Sequence, residues 1–131
     1  MDILIDTHIL IWFQEGNEQL DNNRLSLLTD TENQIFVSQI SLMELAIKYK
    51  LNKLPAFIVD VATVIRQIKI DDFSILPIKD SHVVNYQNIP LYDSHRDPFD
   101  RFLVAIAQSK NLALMTSDSK FEHYKDFLHI I

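Results

Sequence analysis

The chain has 131 residues, a formal net charge of −6 and no cysteine. This length predicts one domain, residues 1–131, large enough to bury a core without staples. The missing cysteines exclude a disulfide framework, a Cys-ligated zinc or iron–sulfur site and thiol chemistry, and 47% apolar content excludes a disordered chain.

Asp2-Ile3-Leu4-Ile5-Asp6 reads as a short buried strand. A helix with Ile9, Leu10, Trp12 and Phe13 on its apolar side follows and stops near Gly16, the only glycine. Leu25 and Leu28 predict a second helix between Asp21 and Glu32. Ile35-Phe36-Val37-Ser38 reads as a strand. Leu42, Leu45, Ala46 and Tyr49 then fall at helical spacing. Pro55 can open a further helix whose apolar face carries Phe57, Ile58, Val61, Val64, Ile65 and Ile68. Phe73 to Ile78 is strand-like, Val83, Val84 and Tyr86 sit on a short helix, and residues 88–97 form a polar loop. Pro98 opens a helix with Phe102, Leu103, Ala105 and Ile106 inward. Leu112 to Thr116 is a strand, followed by a short helical turn and a last strand, Phe127 to Ile131.

Short apolar strands alternating with helices predict an α/β sandwich around a parallel sheet. Ligands of such sheets bind beyond the carboxyl ends of the strands. Four acids are placed there. Asp6 ends the first strand, Glu44 lies in the first turn of the helix after the second strand, Asp100 follows Pro98, and Asp118 follows the strand ending at Thr116. Asp97 is a fifth candidate. Each also has an ordinary explanation as a helix-start residue. Asp6 can cap the first helix, Ser41-Leu42-Met43-Glu44 reads as a capping box, and Asp97-Pro98 is a normal helix start. Asp118 can begin the short helix containing Phe121. Four carboxylates crowded together nonetheless repel one another and lose hydration, so they need protons or cations. Oxygen donors of this kind suit Mg²⁺ or Mn²⁺, one ion or two.

The segments around these acids resemble the PIN-domain family, specifically its VapC-type toxins. The resemblance rests on Leu4 to Trp12, Val37 to Lys48, His95 to Ala105 and Thr116 to Phe121, with Asp97-Pro98-Phe99-Asp100-Arg101 the most specific run. It implies a PIN-like three-layer sandwich with a five-stranded parallel sheet. It further implies a Mg²⁺- or Mn²⁺-dependent endoribonuclease, the toxin of a type II toxin–antitoxin pair, that cuts RNA with a metal-activated water. Carried over by motif, the catalytic metal-binding residues are Asp6, Glu44, Asp100 and Asp118. Asp97 matches a subgroup feature. The implied partners are RNA, a cognate antitoxin and a second copy of the chain. Met43 stands where similar sequences often carry Trp.

Thr7, Ser117, Arg96, Arg101 and Lys48 are candidates to hold substrate phosphates. Their ordinary roles are a helix start for Thr7, an ion pair with Asp97 for Arg101, and a solvated helix face for Lys48. The five histidines show no zinc-binding spacing, and His8 and His95 lie nearest the acids. The acidic balance, 18 Asp and Glu against 12 Lys and Arg, argues against nucleic-acid binding only until four acids are counted as a metal site. The longest apolar run, Phe102–Ala107, is far below the ~20 residues of a membrane span, and Met1-Asp2-Ile3 lacks the basic flank of a signal peptide. The expectation is a cytoplasmic protein without membrane contact. A PIN-like binding module without catalysis is the alternative. A phosphoacceptor or phosphatase fits poorly, because Asp6 is followed by Thr7-His8 and not by a second acid.

Overall fold

The computed structural model describes residues 1–55 and 60–131. Strand β1 (Asp2–Ile5) leads into helices α1 (Thr7–Glu15) and α2 (Asn22–Thr29). Strand β2 (Gln34–Ser38) is followed by α3 (Gln39–Lys50) and α4 (Val61–Ile70). Strand β3 (Ser74–Leu76) precedes α5 (Asp80–Tyr86) and α6 (Pro98–Lys110), and β4 (Ala113–Met115) precedes a 3-10 helix, Ser119–Tyr124. All pairings between these strands are parallel, in the order β3-β2-β1-β4.

The path of the chain explains the layers. From β1 to β2 to β3 it steps in one direction, so right-handed crossovers place α1–α4 on one face. From β3 it returns past β1 to β4, which places α5 and α6 on the other. Strand side chains alternate accordingly. Ile3, Ile5, Val37, Ala113 and Met115 pack with Ile9, Leu10, Leu45, Val64 and Ile68. Leu4 and Leu114 pack on the opposite side with Leu103, Val104, Ile106, Phe121 and Tyr124. A sheet buried on both faces requires the near-continuous apolar strands seen in the sequence.

Local chemistry sets the helix ends. Gly16 closes α1 at φ 63°, a conformation that costs a residue without Cβ little. Aspartates cap four of the α-helices: Asp6 at α1, Asp21 at α2, Asp60 at α4 and Asp97 at α6. Pro98 occupies the first turn of α6, where its missing N–H is no loss.

Three expectations change in detail. Phe127–Ile131 does not form a full fifth strand. It reaches β4 through one parallel bridge, Leu114 with Ile130, supported by Thr116 N–H donating to the Ile131 carbonyl at 3.1 Å. Phe127 is still held in the preceding turn by its N–H bond to the Tyr124 carbonyl, which leaves only the final residues to pair. The helix expected from Pro55 is described from Val61 on, and Phe57 and Ile58 lie outside the described residues. Ser41 is not a helix cap. The cap is Ser38, whose hydroxyl accepts from Ile40 N–H at 3.1 Å, so α3 follows β2 directly. Ser41 falls inside the first turn and Glu44 in the second.

Candidate metal centre

The sheet order reverses between β1 and β4, and it is at such a point, in the crevice beyond the carboxyl ends of the strands, that open parallel sheets bind ligands. Asp6 follows β1 directly, and its N–H donates to the Met115 carbonyl across that boundary at 3.1 Å. It is 3% exposed. Its Oδ1 accepts from Ile9 N–H at 2.8 Å, which caps α1. Burial pushes the Asp6 carboxyl up to about 6, against the pull of the Thr116 hydroxyl, the Ile9 amide and His8, and with a further push from Asp100.

Asp100 stands in the first turn of α6, facing the same crevice because α6 runs back toward the amino end of β4. Burial raises its pKa, the His95 hydrogen bond lowers it, and the charges of Asp97 and Glu44 raise it again. The charge of Asp100 thus reaches Asp6, and that of Glu44 reaches Asp100. Glu44 is 8% exposed, and Lys48 Nζ lies 3.5 Å from its Oε2, one helical turn on.

Asp118 completes the group. Its Oδ1 accepts from Lys120 N–H at 2.9 Å and caps the 3-10 helix, and its own N–H donates to Thr116 Oγ1 at 3.0 Å. One donor atom each from Asp118, Asp100 and His95 lie within 4.8 Å of one another. His95 is buried, with Nε2 3.0 Å from Asp100 Oδ2.

The capping and metal readings of the acids are therefore compatible. Asp6 and Asp118 each commit one oxygen to a backbone amide, and Asp100 commits one to His95. Asp100 and Asp118 each keep a second oxygen for a ligand, while Asp6 also meets the Thr116 hydroxyl. Buried, mutually repelling oxygen donors fit a hard divalent cation such as Mg²⁺ or Mn²⁺.

The remaining candidates separate. Thr7 is buried in the first turn of α1, Ser117 is exposed between Thr116 and Asp118, and Arg96 is exposed and paired with Asp93 at 2.8 Å. Asp97 is exposed, and its Oδ1 accepts from Phe99 N–H at 2.8 Å as the cap of α6. Arg101 does not reach the crevice and does not pair with Asp97. It is 8% exposed, it donates to Tyr86 Oη at 2.9 Å and to the Ile89 carbonyl at 2.7 Å, and its guanidinium lies over the Tyr86 ring. The fourth position after Asp97 lies on the inner side of α6, where a guanidinium fastens the turn after α5. Its guanidinium is taken up by these packing contacts.

Two contributors escaped the sequence reading. Thr116 meets both Asp6 and the Asp118 amide through its hydroxyl. Arg24 reaches from α2 to the Thr116 carbonyl at 2.8 Å across 92 positions of sequence, a contact with no local signal.

The sequence model of the PIN domain family matches residues 3–126. No curated protein sequence matches the chain. Among solved structures, the chain is similar to VapBC2 from Rickettsia felis bound to a promoter DNA fragment, at 19% identity and TM-score 0.69 over 100% of this chain and 98% of that one. It is similar to FitAcB from Neisseria gonorrhoeae at 18% identity and TM-score 0.66, covering 98% and 96%. It is also similar to VapBC-1 from nontypeable Haemophilus influenzae at 22% identity and TM-score 0.63, covering 100% and 97%.

Proposed function

The chain belongs to the PIN domain family, and from that premise we propose that it is a Mg²⁺- or Mn²⁺-dependent endoribonuclease. Residues 1–131 make one catalytic domain that acts as the toxin of a VapBC-like toxin–antitoxin pair in the cytoplasm. The observation that supports this reading is the grouping of Asp100 and Asp118 donor atoms with His95 within 4.8 Å, at the sheet edge where the buried Asp6 follows β1.

In this reading Asp6, Asp100, Asp118 and Glu44 hold one or two ions. A bound ion supplies an acidified water and stabilises charge on a phosphate oxygen. The protein's part is to keep the donors fixed and partly dry. Capping of α1 and of the 3-10 helix fixes Asp6 and Asp118, and the Thr116 hydroxyl ties the two together. Lys48 sits against Glu44 and offers its charge at the crevice rim. Thr7, Ser117 and Arg96 border the same edge and are assigned to the substrate's phosphates. The products are a 5′-phosphate and a 3′-hydroxyl.

The similar structures include toxin–antitoxin complexes, one of them a toxin–antitoxin complex from Klebsiella pneumoniae. This supports a protein inhibitor for the chain. An acidic crevice favours an inhibitor segment that brings an arginine to the carboxylates, and the chain is assigned a homodimeric state. The test is RNA cleavage by the purified chain with Mg²⁺, Mn²⁺ or EDTA, beside Asp100→Asn. Cleavage that needs the ion and is lost in D100N supports the proposal. Cleavage that survives both refutes it.

A further inference from the structure

A ring nitrogen of His95 lies with donor atoms of Asp100 and Asp118 inside 4.8 Å, close enough to share an ion with them. Its hydrogen bonding says otherwise. We propose that His95 is a positioning residue whose Nε2–H donates to Asp100 Oδ2 and sets the orientation of that carboxylate, so that His95 itself does not ligate the ion. This deepens the reading of Asp100 as part of a metal site and rests on it.

The first observation is how firmly the ring is held. His95 is 2% exposed. Phe121 meets it edge-on at 4.8 Å and Tyr124 packs obliquely at 5.5 Å. Its backbone N–H donates to the Tyr92 carbonyl at 3.0 Å. Tyr92 in turn stacks on His123 at 4.6 Å, and Ser94 Oγ lies 2.8 Å from His123 Nε2. The loop before α6 is thus fastened to the 3-10 helix that follows Asp118, and the imidazole is fixed between them.

The second observation concerns the proton. Nε2 faces Asp100 Oδ2 at 3.0 Å, and Nδ1 is buried with no partner among the described residues. A proton on Nδ1 would bury an orphan N–H among aromatic rings and leave the Nε2 lone pair facing the Asp100 carboxylate oxygen, two acceptors together. A proton on Nε2 satisfies the carboxylate and leaves only an unpaired ring lone pair, the cheaper of the two defects. The proton facing Asp100 therefore sits on Nε2. A protonated Nε2 has no lone pair to give to a cation. What it gives is direction: Oδ2 is held toward the ring, and Oδ1 is left as the ligand atom.

The test reads the tautomer first, on the unmodified ¹⁵N-labelled chain. Long-range ¹H–¹⁵N correlation of the His95 ring, in EDTA and then with saturating Mg²⁺, should show a protonated Nε2 in both states. An Nδ1–H tautomer, or loss of the Nε2 proton when Mg²⁺ is added, overturns the proposal. Calorimetric titration with Mn²⁺ then compares wild type, His95→Phe and His95→Gln. H95F keeps an aromatic ring but no donor, and should bind about tenfold more weakly. H95Q keeps a donor near the Nε2 position and should recover most of the affinity. Equal affinity in wild type and H95F overturns the positioning role. If H95F does not fold, H95Q and the tautomer still decide. Failure of the wild-type chain to bind Mn²⁺ refutes the metal site itself, whereas the tautomer reports the hydrogen bond independently.

Discussion

Asp6 carries a buried charge whose cost can be worked from the structure. An ordinary aspartate titrates at 3.8, and burial lifts Asp6 to about 6. At 1.36 kcal/mol per pH unit, the difference corresponds to about 3 kcal/mol at neutral pH without a cation. The sign follows from linkage. Below about pH 4 both folded and unfolded chains hold the proton, and nothing is lost. Between about 4 and 6 the folded chain still holds a proton that the unfolded chain has released, so stability falls as pH rises. Above about 6 the full cost stands. Asp6→Asn removes the charge and keeps the cap, because asparagine caps helices as well as aspartate does. In EDTA at pH 8, D6N should therefore be more stable than wild type by about 1–3 kcal/mol, roughly 5–10 °C in Tm for a chain of this length. The gap should close near pH 4. Mn²⁺ should raise the Tm of wild type and leave D6N unmoved. Thermal melts at the two pH values, with and without Mn²⁺, read all three effects. A D6N variant less stable than wild type at pH 8 in EDTA would refute the claim that this carboxylate is held at a cost.

Other consequences are simpler to state. Arg101→Leu leaves the Ile89 carbonyl and Tyr86 hydroxyl unpaired, and should lower the unfolding free energy by about 2–4 kcal/mol in urea titration; an RNA-binding role would instead raise KM at unchanged stability. Lys48→Ala removes the partner of Glu44, and should change stability by less than about 1 kcal/mol, since the pair is partly exposed, while weakening RNA binding in a salt-dependent way. Thr116→Val deletes the hydroxyl that meets both Asp6 and the Asp118 amide, and should weaken Mn²⁺ binding measured by calorimetry by about tenfold.

The element order was legible because buried strands and one-sided helices leave periodic apolar patterns, from Ile3-Leu4-Ile5 to Phe102-Leu103. The edge on which the candidate acids stand was legible because an α/β sheet brings strand ends and helix starts to one side. What escaped depends on contacts between distant segments. Ser38 and Ser41 both suit a helix cap, and only the abrupt passage from β2 to α3 selects Ser38. Arg101 looked like a surface cation until packing of α5 on α6 enclosed it. His95 has no ligand spacing in sequence, and its role emerges only when the 3-10 helix folds back over it. The fifth strand was a matter of length, as only the last residues of the chain reach β4.

The most direct test of the central claim is end-group analysis of RNA cut by the purified chain in Mn²⁺, with EDTA and D100N controls. The cut ends should be 5′-phosphate and 3′-hydroxyl, and should appear only with the ion and the intact carboxylate. Ends bearing a 2′,3′-cyclic phosphate, formed equally well in EDTA, would contradict it.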